Sequence, residues 1–290
     1  MNTITGHTGL TALLGSPVAH SISPLMHNEA FRHLGLDYVY LCFDVNEETL
    51  PEAVAGLKAC GIRGFNLTMP NKNRIVELLD ELSPAARMIG AVNTVVNDHG
   101  RLIGYNTDGI GYMQAAADAG HDLTGRVLTV MGAGGAATAI CAQAALDGVK
   151  KLHIFARPTS RFWDRTVRLA KTINDTTACE AVLHDNADAA ALTCAAAESD
   201  LLLNATSVGM APNTEASIIT DPSIFRPDLV VSDVIYNPQE TLLLRQAKEA
   251  GCPTFNGMYM LLYQGAEAFR LWTGQDMPVA LIKEKFFSQK

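Results

Sequence analysis

Gly132-Ala133-Gly134-Gly135-Ala136-Ala137 follows an apolar run at residues 126–131 and opens an Ala-rich stretch that ends near Asp147. The string matches G-x-G-x-x-A, and its place between a predicted strand and a predicted helix is what makes such a motif informative. The first glycine permits a tight turn, the second lets the backbone approach a pyrophosphate, and Ala137 lets helix and strand pack closely. Phosphate charge would rest on the helix N-terminus, where backbone N–H groups lack partners and the helix dipole is positive. A glycine turn kept for packing alone gives the same letters. The strand predicted at residues 151–156 completes a βαβ unit and favours a dinucleotide, with Gly132, Ala133, Gly134, Gly135 and Ala136 around its phosphates.

An NAD site ordinarily carries Asp or Glu about 20 residues beyond the first glycine, bonded to the ribose hydroxyls. Here that position is Ala156-Arg157, followed by Pro158-Thr159-Ser160-Arg161. Two guanidinium groups and two hydroxyls suit a 2′-phosphate, which Arg holds in bidentate fashion. NADP is therefore the expected cofactor and NAD the alternative. Read as solvated surface charges, Arg157 and Arg161 would carry no preference.

Outward from this unit, short runs of β-forming residues alternate with segments of helical period. Strands are predicted at residues 10–14, 38–45 and 64–69, with helices at 24–34, 49–59 and 71–82. Segments 91–96 and 102–105 flank Asn97-Asp98-His99-Gly100, a run of turn residues suited to a hairpin. Beyond the glycine loop, strands are predicted at 200–205, 229–234 and 254–255, and helices at 187–197 and 241–250. Residues 258–272 and a segment starting at Val279 read as further helices. The expected architecture is α/β in two domains. Residues 1–110 form an α/β substrate-binding and catalytic domain, and residues 111–257 a Rossmann-type, doubly wound dinucleotide-binding domain. Helices of 258–290 return to the first domain.

Composition narrows the function classes. The 290 residues are 48% hydrophobic and 18% charged, as in ordinary globular domains. A formal charge of -8 repels phosphate backbones and anionic membranes, so no nucleic acid is expected as partner. The apolar runs fall far short of the roughly 20 residues of a spanning helix, and the polar start lacks an apolar leader core. A cytoplasmic protein with no membrane association is expected. Six scattered cysteines without C-x-x-C or Cys/His spacing point to reduced thiols and to no metal site. Oligomeric state is left open, a homodimer being one form.

Three polar clusters stand at the ends of predicted strands, where open α/β sheets bind ligands. They are Ser21-Ile22-Ser23-Pro24, Asn66-Leu67-Thr68-Met69-Pro70-Asn71-Lys72, and Asn93-Thr94 with Asn106-Thr107-Asp108-Gly109. Ser23 before Pro24 also reads as an ordinary helix N-cap. Lys72 falls in the first turn of the helix predicted at 71–82, where the positive end of the dipole disfavours an ammonium and eases proton donation. Taken singly, Lys72 reads as a solvated lysine and Asp108 as a turn former.

Together these motifs, with Gly90-Ala91-Val92-Asn93-Thr94, Asn204-Ala205-Thr206 and Tyr263-Gln264-Gly265-Ala266, give a chain that resembles the shikimate dehydrogenase family from end to end. The resemblance implies Lys72 and Asp108 as a catalytic pair. It implies Ser21, Ser23, Thr68, Asn93 and Gln264 as ligands of substrate carboxylate and hydroxyls, and Tyr236 and Gly257 as residues near nicotinamide and substrate. The implied reaction is NADPH-linked, reversible reduction of 3-dehydroshikimate to shikimate, a small-molecule substrate. Pro70-Asn71-Lys72, where the biosynthetic enzymes commonly have Phe before the Lys, is similar to the quinate/shikimate branch, so quinate use with NAD is the alternative. A sensor that binds a cyclitol acid without turnover is a third reading, which retention of both Lys72 and Asp108 disfavours.

Overall fold

The computed structural model describes residues 4–287. The chain divides into two compact units, one ending at Thr107 and resumed from Leu262, the other spanning Asp108–Leu261.

The first unit runs β1 (Gly9–Gly15), α1 (Ser23–His33), β2 (Tyr38–Asp44), α2 (Leu50–Ala59), β3 (Gly64–Leu67), β4 (Glu81–Leu82), α3 (Pro84–Ile89), β5 (Thr94–Asp98) and β6 (Arg101–Tyr105). Its sheet has the order β2-β1-β3-β5-β6-β4, with β1 parallel to β2 and β3, and β5 antiparallel to both β3 and β6. The expected β5–β6 hairpin closes through His99 and Gly100, both at positive φ (49° and 91°), the backbone that lets a two-residue loop follow the strand twist. One core gathers Leu14, Phe65, Leu67 and Val95 with Leu50, Val54 and Ile75.

Two local expectations give way to tertiary hydrogen bonds. The helix predicted at 71–82 is a short 3-10 turn (Arg74–Leu78) followed by β4, and Lys72 precedes it. The Lys72 carbonyl accepts from Val92 N–H (2.8 Å), and Asn71 Nδ2 donates to the Val45 carbonyl (2.8 Å), so this segment is tied to the residues that flank β2 and β5 and does not run on as a regular helix. The dipole argument for Lys72 therefore has no helix to act through. Ser23 is the first residue of α1 and not its cap; Ile22 holds that position, and the Ser23 N–H goes to Ser21 Oγ (3.2 Å).

The second unit runs α4 (Asp108–Asp118), β7 (Val127–Met131), α5 (Gly135–Leu146), β8 (Lys151–Ala156), α6 (Trp163–Thr176), β9 (Glu180–Asp185), α7 (Ala189–Glu198), β10 (Leu201–Asn204), β11 (Val230–Asp233), α8 (Leu242–Glu249) and β12 (Thr254–Phe255). Its sheet is wholly parallel, in the order β12-β11-β10-β7-β8-β9. Counted from β7, that is 3-2-1-4-5-6, the doubly wound order. Leu201, Leu202 and Leu203 are all fully buried, as a strand covered on both faces requires.

The helix α9 (Met258–Thr273) crosses from the second unit into the first at Leu262, and a single turn, α10 (Val279–Ile282), continues into a π turn to Phe287. Within the first unit Trp272 Nε1 donates to the Val95 carbonyl (3.0 Å), and Arg63 Nε to the Trp272 carbonyl (2.7 Å). Among the described residues no helix is long and apolar enough to cross a membrane.

Candidate functional site

Sheet direction gathers the first unit's polar residues at one end. The parallel strands β1 and β3 run out there into residues 16–23 and Thr68. Because β5 is antiparallel to β3 and to β6, Asn93 enters β5, and Asn106 leaves β6, at that same end. Asn93, 2% exposed, is the hub. Its Oδ1 accepts from Thr107 N–H (2.7 Å), and its Nδ2 donates to Thr107 Oγ1 (3.0 Å) and to Gln264 Oε1 on α9 (3.4 Å). Asn66 Nδ2 donates to the Asn93 carbonyl (3.1 Å) and Thr94 Oγ1 (2.9 Å), while its Oδ1 accepts from the Tyr40 hydroxyl (2.8 Å). Burial raises the Tyr40 phenol well above its usual range, so it remains a neutral donor. A network of mutually bonded amides and hydroxyls fixes the geometry of this polar end of the sheet.

Lys72 and Thr68 are half-buried beside this network, on the segment that Val92 and Asn71 anchor. Asp108 opens α4, one peptide bond after the Thr107 that Asn93 holds, and is also half-buried. Sequence reasoning did not anticipate Tyr40 as Asn66's partner. Only the β2–β1–β3 pairing makes that partnership visible.

In the second unit, the carboxyl ends of β7, β8, β10 and β11 surround a cavity of about 1000 Å³ at the point where strand order reverses. The glycine loop forms its floor. A Cβ at Gly132 (φ 126°) would stand 2.8 Å from the Ala205 carbonyl, whereas Cβ atoms at Gly134 and Gly135 would meet nothing within 4 Å. That is an open cradle at the start of α5, whose N-cap Gly134 supplies no side-chain bond, so its first N–H groups are available for anionic oxygens. These residues fit a dinucleotide. Arg157 lines the wall beyond β8 and is the one charged side chain on it among the described residues.

Tyr236, 49% exposed, lines the wall beyond β11, and Gly257 N–H donates to the Ile235 carbonyl behind it (3.2 Å). Arg161 does not line the cavity; its guanidinium stands 4.6 Å over the Phe162 ring, with Arg165 at 4.7 Å from the same ring. Arg165, unmarked in the sequence reading, donates to the Ala133 carbonyl (3.1 Å) and Thr138 Oγ1 (3.2 Å), so α6 braces the glycine loop.

Asp233, at the end of β11, is fully buried, and burial lifts its pKa from 3.8 to about 6 against the hydrogen bonds it accepts. Between those values the folded chain holds a proton that the unfolded chain has released. This contribution to stability is therefore present in full below about pH 4 and lost as pH rises through about 6, a change of about 3 kcal/mol. Urea unfolding of wild type and Asp233→Asn from pH 4 to 7 isolates it as a difference that shifts across this window. A constant difference contradicts the buried titration.

Comparison with known proteins agrees with this geometry. Residues 13–95 match the shikimate dehydrogenase substrate binding domain, and residues 257–285 the shikimate 5′-dehydrogenase C-terminal domain. The shikimate dehydrogenase (NADP(+)) of Listeria monocytogenes is 52% identical over 284 residues, covering 98% of this chain and 97% of the relative. A crystal structure of shikimate 5-dehydrogenase from Listeria monocytogenes, in complex with shikimate and NAD, superposes with a TM-score of 0.95 at 52% identity, covering 98% of each chain. Quinate dehydrogenase of Corynebacterium glutamicum, in complex with NAD, gives 0.84 at 32% identity, covering 97% of this chain and 99% of that one. With half its residues shared along almost its whole length, this chain belongs to the shikimate dehydrogenase family.

Proposed function

We propose that the protein is a cytoplasmic, NADP-linked shikimate dehydrogenase that interconverts 3-dehydroshikimate and shikimate. Residues 1–110 bind substrate, residues 111–257 bind the dinucleotide, and the helices of 258–290 complete the substrate side through Gln264. The observation that carries the cofactor choice is Arg157, the lone charge among the described residues on a cavity wall where an NAD enzyme ordinarily has a carboxylate. Bound NADPH supplies hydride to the ring carbonyl carbon. Lys72 gives a proton to the carbonyl oxygen and takes it back in the oxidation direction, and Asp108 accepts from the resulting hydroxyl and sets the position and charge state of the ammonium. Ser21 and Ser23 take the substrate carboxylate, and Thr68, Asn93 and Gln264 its hydroxyls. Tyr236 and Gly257 face the nicotinamide side.

The quinate reading rests on Asn71. That residue is fully buried and bonded to the Val45 carbonyl, so its identity answers to packing and weighs little on the substrate.

Initial rates of shikimate and quinate oxidation, each with NADP and with NAD, test the proposal. Shikimate with NADP should give the highest kcat/KM. Arg157→Ala should weaken NADP+ binding about 10–100-fold, the worth of charge-assisted bonds to a phosphate, and leave NAD+ within about twofold. Equal losses for both cofactors would remove the 2′-phosphate assignment, and dominant quinate turnover with NAD would move the enzyme to the other branch.

A further inference from the structure

We infer that Asp233 is a positioning residue that clamps together the two loops forming one wall of the dinucleotide cavity. The inference rests on the cofactor reading above and deepens it. Strands β10 and β11 are parallel neighbours whose last paired residues are Asn204 and Asp233. Beyond them the chain runs into Ala205-Thr206-Ser207-Val208 and Val234-Ile235-Tyr236-Asn237, and all eight residues line the cavity. Asn204 and Asp233 do not line it; both are fully buried behind it.

The carboxylate bonds the loop after β11 directly and reaches the loop after β10 through Asn204. Asp233 Oδ1 accepts from Ile235 N–H (2.9 Å), and Oδ2 accepts from Thr241 Oγ1 (2.9 Å), the N-cap of α8. Asn204 Nδ2 donates to both oxygens (3.2 and 3.1 Å) and to the Val208 carbonyl (3.1 Å). Asn204 Oδ1 in turn accepts from Thr206 N–H (3.1 Å) and Thr206 Oγ1 (2.7 Å), and Thr206 Oγ1 accepts from Val208 N–H (3.1 Å). Every group on Asp233 is a donor, which only an acceptor-only side chain satisfies completely. An asparagine in its place turns an NH2 towards an N–H.

A buried carboxylate costs the fold, and an apolar pair would serve packing alone at least as well. Its use here is geometric. It sets the spacing of two loops that local sequence would leave free, so that Thr206 and Tyr236 meet the same ligand. Since this wall lies apart from Arg157, its effect should not distinguish a phosphorylated ribose from a plain one.

The test joins calorimetric titration of NADP+ and NAD+ with amide hydrogen exchange of the ligand-free protein, on Asp233→Asn, Thr241→Val and Thr241→Ser. Asp233→Asn should weaken both cofactors alike by about tenfold or more, with the shikimate KM at saturating cofactor within about twofold. Exchange at the Thr206, Val208 and Ile235 amides should quicken together by about tenfold or more, while core strands stay protected. Thr241→Val should do the same to a smaller degree, and Thr241→Ser, which keeps the hydroxyl, should restore wild-type behaviour. If Asp233→Asn does not fold, the Thr241 pair decides. Unchanged cofactor affinity beside released loops, or unchanged exchange at Thr206 and Val208, overturns the clamp. Loss of wild-type binding to either nucleotide would instead defeat the cofactor reading, and the exchange arm would still decide whether Asp233 holds the two loops.

Discussion

Replacement of Lys72 by alanine should lower kcat for shikimate oxidation by about 10²–10⁴-fold, the usual worth of a positioned proton donor, with the shikimate KM changing little. Asn93, Asn66 and Gln264 hold one another without Lys72, so the binding surface persists when the side chain is removed. Lys72→Arg separates proton transfer from charge. Arginine keeps the positive charge but does not release its proton near neutral pH, so it should be nearly as inactive as alanine. Steady-state kinetics at saturating NADP decide the matter. A rise in KM with kcat preserved would make Lys72 a binding residue only, and an active Lys72→Arg enzyme would make it an electrostatic one.

Trp272→Ala should cost about 3–5 kcal/mol of unfolding free energy, a large part of a typical domain's stability. The indole is 1% exposed, with its ring 5.3 Å from His27 and 6.0 Å from Tyr40, and its Nε1 satisfies the Val95 carbonyl of β5. Alanine leaves both a cavity and a buried carbonyl without its donor. His27 is stacked on Tyr40 at 4.4 Å, and burial pushes its pKa down to about 3, so no charge opposes this apolar seat. A urea transition shifted to lower midpoint at unchanged slope is the expected record. The shikimate KM should rise as well, because α9 carries Gln264 and Tyr40 holds Asn66, while NADP+ affinity in the other unit is retained. A loss below about 1 kcal/mol would show that the C-terminal helix is dispensable to the first unit's core.

The candidate sites of the two units were legible to different depths. The glycine loop could be read directly because its requirements are local: a tight turn, a bare backbone and a helix start within six residues. The β5–β6 hairpin was legible for the same reason. Segment 71–82 was not, since Ile75, Val76, Leu78, Leu79 and Leu82 satisfy a helical period, yet a Val92 amide twenty residues away claims the Lys72 carbonyl. The elements α6 and β9 also went unread, β9 because a half-exposed edge strand leaves a weak hydrophobic pattern, and α6 although it buries Thr166, Leu169, Ala170 and Ile173 at helical spacing. Arg165 went with them, though it braces the glycine loop.

The sequence by itself determined the order of βαβ units, the dinucleotide loop and the roster of polar residues at strand ends, because each depends on residues close together along the chain. Only the tertiary structure decided which of those residues meet. It bonded Asn93 to Gln264 across 171 positions, placed Arg157 on the cavity wall, seated Asn71 in the core, and bound Asn204 to Asp233 across two neighbouring strands. Such pairings follow from sheet register and strand direction. These emerge when distant segments pack together, and no local pattern encodes them.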